Sequence, residues 1–322
     1  MVKRKIAFVF PGQGSQSIKL LHKLESSFPM VKDLLYQISE CIHYNIWDLI
    51  TNQSNGHKNK IQHTQLIVLI SNIALFKLLE HLNLLNSISY MAGHSVGEYS
   101  ALFCSNAISL NDVIHLVIKR EKLMYNNIMF NKHKGSMAVI VGLNSKKIIN
   151  ICKNVSKFTA KVYLSGFNSK NQITISGYST AVKKVLDIAI KKGAMFTKLI
   201  DVSSPSHCPL LKDIANIFFQ YLNTVNFKIP KIPIISNVNA VPYNSINNIR
   251  TLLKAQLYCP VQWVKTIKFI KNNGVNLIIE CGFGNILTNL IKNIDKKIVT
   301  WNINNQLNLE KLVKFISKIE NF

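Results

Sequence analysis

The sequence predicts an α/β fold in which a large α/β domain is interrupted by a compact ferredoxin-like subdomain. Three observations carry that expectation. Short apolar runs alternate with stretches of helical periodicity through the first third of the chain. From Gly135 the order changes to β-α-β-β-α-β, the ferredoxin-like signature. Beyond His207 strands and helices alternate again. The expected boundaries are 1–130 together with 203–322 for the large domain, and 131–202 for the insertion. With 322 residues, 48% of them hydrophobic, the chain has the material for both cores.

Ile6 to Phe10 reads as a buried strand, because five apolar residues run straight into the turn-forming stretch Pro11-Gly12-Gln13-Gly14-Ser15-Gln16. A loop at the C-terminal end of a strand is a natural binding position in α/β folds. Helical spacing follows over 29–50 and 62–82, and a short strand from Ile88 to Ala92 leads into Ser95. A further helix is expected to start near Asn111-Asp112, residues suited to an N-cap. The insertion reads as a strand (Ser136 to Val141), a helix (Ser145 to Asn154), two strands (Lys161 to Leu164, Gln172 to Ser176), a helix (Thr180 to Lys192) and a strand (Met195 to Val202). After it come a helix over Pro209 to Asn223, a strand over Ile232 to Val238, helices around 246–256 and 260–272, and a strand from Val275 to Glu280. Gly282-Phe283-Gly284 opens a helix, and the strand Ile298 to Ile303 precedes a terminal helix from Leu307.

Thirty-nine Lys plus Arg against fifteen Asp plus Glu leave a formal charge of +24. That balance suits an acidic partner or an anionic substrate. The basic residues are nevertheless spread along a chain rich in Lys, Asn and Ile, and no basic-aromatic motif for bases stands out, so nucleic acid is not an expected partner. The six cysteines at 41, 104, 152, 208, 259 and 281 include no Cys-x-x-Cys pair and no zinc-type His spacing. Neither a metal nor a cofactor is expected. The run Ile6 to Phe10 is too short for a signal peptide, and Leu66 to Leu79 carries Ser71, Asn72 and Lys77 and falls short of a membrane span. A reduced, cytoplasmic protein is expected, away from the membrane and monomeric.

The chemistry centres on Gly93-His94-Ser95-Val96-Gly97. Gly-x-Ser-x-Gly places a serine on a sharp strand-to-helix turn whose small neighbours let the backbone close and expose the hydroxyl. A serine hydroxyl is a weak nucleophile at neutral pH and needs a base, most often histidine. Of the histidines that follow, His115 falls on a helix and His133 in a polar Asn-Lys stretch. His207, in Ser203-Ser204-Pro205-Ser206-His207, sits where the chain leaves the insertion and can face a cleft. His94 is expected to point away from Ser95, supporting the elbow or lining the substrate site. Val113, Val117, Arg120 and Met124 recur on one helical side, which sets Arg120 on an apolar stripe. It is there either as half of a structural salt bridge or as a bidentate clamp for a substrate carboxylate. For the developing oxyanion the candidates are the backbone N–H of Val96 and one in the Gln13 loop.

Taken together, the Phe10 to Gln16 loop, the extended motif Gly93 to Leu102, Arg120 and Pro205-Ser206-His207 resemble the malonyl-CoA:acyl carrier protein transacylase family of bacterial fatty acid synthesis. The likeness continues in Gln256 to Trp263 and in Glu280 to Thr288. It implies a hydrolase-like α/β core with an inserted ferredoxin-like subdomain. It also implies that Ser95 takes malonyl from coenzyme A, that His207 is the general acid/base, and that Arg120 binds the free malonyl carboxylate. Gln13 and Val96 would form the oxyanion hole. The histidine would be oriented by a main-chain carbonyl near Gln256, and Gln13, His94, Asn168 and Gln256 would line the substrate site. Malonyl-CoA and acyl carrier protein are the partners so implied. Two positions depart from the family pattern: Lys170 follows Asn168-Ser169 where proline is common, and Phe283 replaces a usual proline between two glycines. Both changes bear on loop stiffness near the cleft more than on reaction type. A serine hydrolase with the same elbow is the main rival, although such enzymes carry their histidine near the C-terminus and none follows His207 here. A basic, non-catalytic binding protein is the second.

Overall fold

The computed structural model describes residues 5–15, 18–48, 50, 63–82, 88–130, 134–202, 204–303 and 306–320. His133 lies outside them. The described residues form a five-stranded parallel sheet and a separate four-stranded antiparallel sheet.

The parallel sheet has the order β7-β2-β1-β8-β9, with β1 (Ile6–Phe10) at its centre, β2 (Ile88–Gly93) and β7 (Ile234–Ile235) on one side, and β8 (Leu277–Glu280) and β9 (Val299–Asn302) on the other. Every residue of β1 is buried, as a run with no polar alternation requires when both faces of a sheet are covered. One face packs on α3 (Thr64–His81), where Phe8 and Phe10 both meet Phe76. Alone among the described residues, α3 is long and apolar enough to cross a membrane, but 83% of it is buried inside the protein. A helix apolar on all sides belongs to a core of this kind. The opposite face packs on α10 (Trp263–Asn272) and α11 (Ile286–Ile294) through Trp263, Ile267, Leu287 and Ile291.

The antiparallel sheet, β4-β5-β3-β6, is built from β3 (Gly135–Val141), β4 (Val162–Ser169), β5 (Gln172–Tyr178) and β6 (Phe196–Ile200). With α6 (Ser145–Phe158) and α7 (Ser179–Lys191) it makes the expected ferredoxin-like order. Alternate residues point to opposite faces. Ala138, Ile140, Ile173 and Ile175 join the apolar core under α6 and α7, while Met137, Val139, Gln172 and Thr174 face a cleft against the large domain. Phe167 N donates to Val261 O at 2.9 Å and Val261 N to Ser165 O at 3.0 Å, so backbone bonds tie β4 to the segment before α10.

Several elements differ from expectation. The helix expected over 29–50 is broken: α2 (Pro29–Ile42) ends at His43, whose φ of 52° is left-handed and whose N–H bonds back to Glu40 O. Before it stands α1 (Ile18–Ser27), an element not expected from sequence. The helix carrying Arg120, α5 (Leu110–Phe130), is capped by Ser109 and not by Asn111 or Asp112, since Ser109 Oγ accepts from Asp112 N at 3.0 Å. β4 runs on to Ser169, which places Asn168 in the strand and leaves Lys170-Asn171 as the hairpin turn. The strand expected over Ile232 to Val238 shrinks to two residues, because Ser236 to Ala240 form a turn closed by Ala240 N to Ser236 O at 3.0 Å. Phe283, the second departure from the family pattern, is buried in the main core beside Leu24, Leu75, Ile303 and Leu309 and does not enter the cleft.

Candidate active site

The elbow is built by close packing. Ser95 sits between β2 and α4 (Gly97–Cys104) with φ of 55°. A side chain on Gly93 would meet Gly97 and Glu98 backbone atoms within about 2 Å, and one on Gly97 would meet Phe10 O at 2.1 Å. Only glycines let strand, turn and neighbouring strand approach this closely. The strained serine is over-determined: Ser95 N donates to Asn237 Oδ1 at 2.8 Å, His94 N donates to Phe10 O at 2.9 Å, and Ser95 O accepts from Gln256 Nε2 at 3.0 Å.

His207 arrives from the other side of the insertion, 2.8 Å from Ser95 Oγ through Nε2. It too is left-handed, with φ of 60°, and its N–H is held by Leu257 O at 2.8 Å. Its Nδ1 lies 2.6 Å from Gln256 O. A carbonyl only accepts, so Nδ1 carries the proton and Nε2 presents its lone pair to the serine hydroxyl. Burial first, then the Arg120 charge, push the imidazole down to about 3, against the bond to Gln256, which favours the proton. At neutral pH His207 is therefore a neutral base. No carboxylate orients it: the Gln256 carbonyl fills that place.

Arg120 is buried beneath the elbow. Its Nη2 donates to Ser95 Oγ at 3.3 Å and to Gln256 Oε1 at 3.2 Å, its Nη1 donates to Gln65 Oε1, and the guanidinium lies 5.5 Å over the Tyr99 ring. Among the described residues no carboxylate pairs with it, and its Nε has no hydrogen-bond partner. Its hydrogen bonds go to neutral oxygens, and the nearby buried carboxyls Glu98 and Glu121 feel its charge without forming an ion pair with it, which leaves the guanidinium able to bind a further anion. The Nε–Nη2 edge is the one a carboxylate takes in bidentate fashion.

Ser95 and His207 open on a cavity of about 290 Å³ between the two sheets. Gly12, Gln13 and His94 line it from the large domain, and Asn168, Gln172 and Thr174 from the small one. Met137, Val139, Ile200, Val202, Ile286, Leu287 and Leu290 supply the apolar part of the wall, with Ser165 and Ser206 beside them. His94 lines the cavity with Nε2 3.0 Å from Asn168 Oδ1 and its ring edge-on to Trp263. Gln256 is fully buried and does not line the cavity, so it acts on the site through other residues. His115 is spent on Asn111 O within its own helix. Val96, buried, follows Ser95 at the N-terminus of α4, while the Gln13 loop is pinned by Asn72 Nδ2 on Pro11 O at 3.0 Å.

Three residues of this network had no role from sequence: Glu98, Asn237 and Gln65. Glu98 is buried in the first turn of α4 and accepts from Asn237 N, Tyr243 OH and Gln256 Nε2. Burial pushes its carboxyl up to about 7, while those donors and Arg120 pull it down. The signal available for Glu98 was a charge on a short helix that otherwise reads as core. For Asn237 and Gln65 it was an amide inside an apolar run.

An acyl transferase domain model matches residues 7–306. The chain is 33% identical to the malonyl CoA-acyl carrier protein transacylase of Haemophilus influenzae over 97% of this chain and 99% of that one. Its structure superposes on the malonyl CoA-acyl carrier protein transacylase from Coxiella burnetii with a TM-score of 0.91, 36% identity and 98% coverage of each chain. It also superposes, at a TM-score of 0.91 and 34% identity over 97% of this chain and 99% of the other, on a malonyl-transacylase solved in complex with a type II PKS acyl-carrier protein. Geometry and likeness agree, and the chain belongs to the acyl transferase family, among the malonyl CoA-acyl carrier protein transacylases.

Proposed function

We propose that this chain is a malonyl-CoA:acyl carrier protein S-malonyltransferase of fatty acid biosynthesis, working in ping-pong fashion through an ester on Ser95. The observation that carries the reading is a buried Arg120 that forms no salt bridge among the described residues and contacts the nucleophile. Ser95 Oγ attacks the malonyl thioester carbonyl as its proton passes to His207 Nε2, forming the C–O bond. The oxyanion takes hydrogen bonds from the backbone N–H groups of Val96 and Gln13. Collapse breaks the C–S bond, and the departing coenzyme A sulfur takes the proton from His207. The phosphopantetheine thiol of acyl carrier protein then reverses these steps and leaves with malonyl.

Arg120 enters twice. It binds the malonyl carboxylate, and that anion offsets the positive field that lowers His207, so the base strengthens when the correct substrate is seated. Apolar walls around the cavity keep the ester from water until the second thiol arrives. No cofactor enters these steps, since coenzyme A is part of the substrate. A monomer acting in the cytoplasm, with no role for nucleic acid, completes the reading.

Intact-mass analysis after exposure to malonyl-CoA tests it. The expected result is one malonyl adduct, absent from Ser95→Ala and discharged by acyl carrier protein faster than by water. Rapid hydrolysis with no transfer to the carrier would establish a hydrolase instead.

A further inference from the structure

Glu98 is a buried acid hydrogen-bonded to the residues that hold Ser95, Arg120 and His207, and the steps above do not use it. Its two oxygens serve different arms. Oε1 accepts from Asn237 N at 3.1 Å and from Tyr243 OH at 2.6 Å. Asn237 in turn accepts from Ser95 N at 2.8 Å and donates to Gly93 O at 2.5 Å, so this arm ends on the nucleophile's backbone. Oε2 accepts from Gln256 Nε2 at 2.5 Å. Gln256 Oε1 then accepts from Arg120 Nη2 at 3.2 Å, and the Gln256 main-chain oxygen takes the His207 Nδ1 proton at 2.6 Å. This arm ends on the clamp and the base.

We propose that Glu98 is a positioning residue whose carboxylate fixes the orientation of the Gln256 amide and, through it, the placement of Arg120 against the malonyl carboxylate. The argument is one of hydrogen-bond polarity. An arginine only donates, so Gln256 must turn its oxygen to Arg120 and its nitrogen the other way. One hydrogen of that nitrogen goes to Ser95 O at 3.0 Å, the other needs a second acceptor, and in a buried site an ionised carboxylate is the group that offers acceptors on both oxygens. Replacing it by an amide breaks the chain. With its oxygen kept on Asn237 and Tyr243, the introduced NH2 would face the Gln256 NH2. Turning Gln256 over to relieve that clash would aim its nitrogen at Arg120, donor against donor. Either way the conflict ends on the residue that reads the substrate's charge.

The inference rests on the malonyl reading above, and the experiment separates the two. The ratio of kcat/KM for malonyl-CoA to that for acetyl-CoA is measured with acyl carrier protein as acceptor for wild type, Glu98→Gln and Glu98→Asp. The expected ratio falls by about tenfold or more in Glu98→Gln. Glu98→Asp, which keeps an acceptor-only head group on a shorter stem, should fall between Glu98→Gln and wild type. A merely structural role would lower both substrates together, so an unchanged ratio in a folded variant overturns the proposal whatever the absolute rates. If Glu98→Gln does not fold, the ratio in Glu98→Asp decides by the same criterion. A wild type that transfers no malonyl would sink the functional reading itself, a different failure.

Discussion

The two sheets use the same chain by opposite rules. In the parallel sheet β1 is buried along its whole length and delivers its loop, and the elbow after β2, to one edge of the strands. The left-handed Ser95 and His207 both lie in the large domain, each held by backbone or amide partners. In the antiparallel sheet one face is core and the other is cavity wall, and Asn168 reaches the large domain's His94 by a hydrogen bond. Chemistry is concentrated where both faces are covered and strain can be sustained. The half-wet sheet shapes the space above it.

Substitutions can break that division of labour. Removing Arg120 by Arg120→Ala should have the largest effect on selectivity, costing malonyl transfer about 2–5 kcal/mol, roughly 30-fold or more, while acetyl transfer persists or rises. Steady-state rates with the two thioesters check this, and equal losses would return Arg120 to a structural role. Asn168→Ala, on the small sheet, should cost about 0.5–1.5 kcal/mol through the lost bond to His94, with little change in the malonyl preference. A loss as large as that of Arg120→Ala would mean that the small sheet shares in the chemistry.

The pH dependence sharpens the same contrast. The protonated imidazole cannot accept the serine proton, and burial with the Arg120 charge lowers its pKa from 6.5 to about 3, so the acid limb attributable to His207 moves down. With an uncharged serine-directed phosphonate, which makes no use of the clamp, inactivation should stay on its plateau below pH 6.5. A limb centred on 6.5 would show that His207 titrates as though exposed. The smallest effect concerns thiols. Burial raises Cys104 and Cys281, so both should resist alkylation in the native protein, whatever is done at the cleft.

Much of the site was legible before any coordinates. Gly93-His94-Ser95-Val96-Gly97 constrains its own backbone, since glycines flanking a serine after an apolar strand leave few other ways to turn. Arg120 was placed by helical spacing alone, and its stripe is buried as the period requires. The breaks came where one local interaction outweighed periodicity, as at the left-handed His43 and the Ser109 cap. By itself the sequence determined most of the order of elements, the serine elbow and the side of α5 that carries Arg120, because period and turn chemistry are local. Tertiary structure alone decided that His207 meets Ser95 across 112 positions, that Arg120 forms no ion pair among the described residues, and that Glu98 bonds Gln256. Those depend on which donors and acceptors are buried together, and no spacing along a chain encodes that.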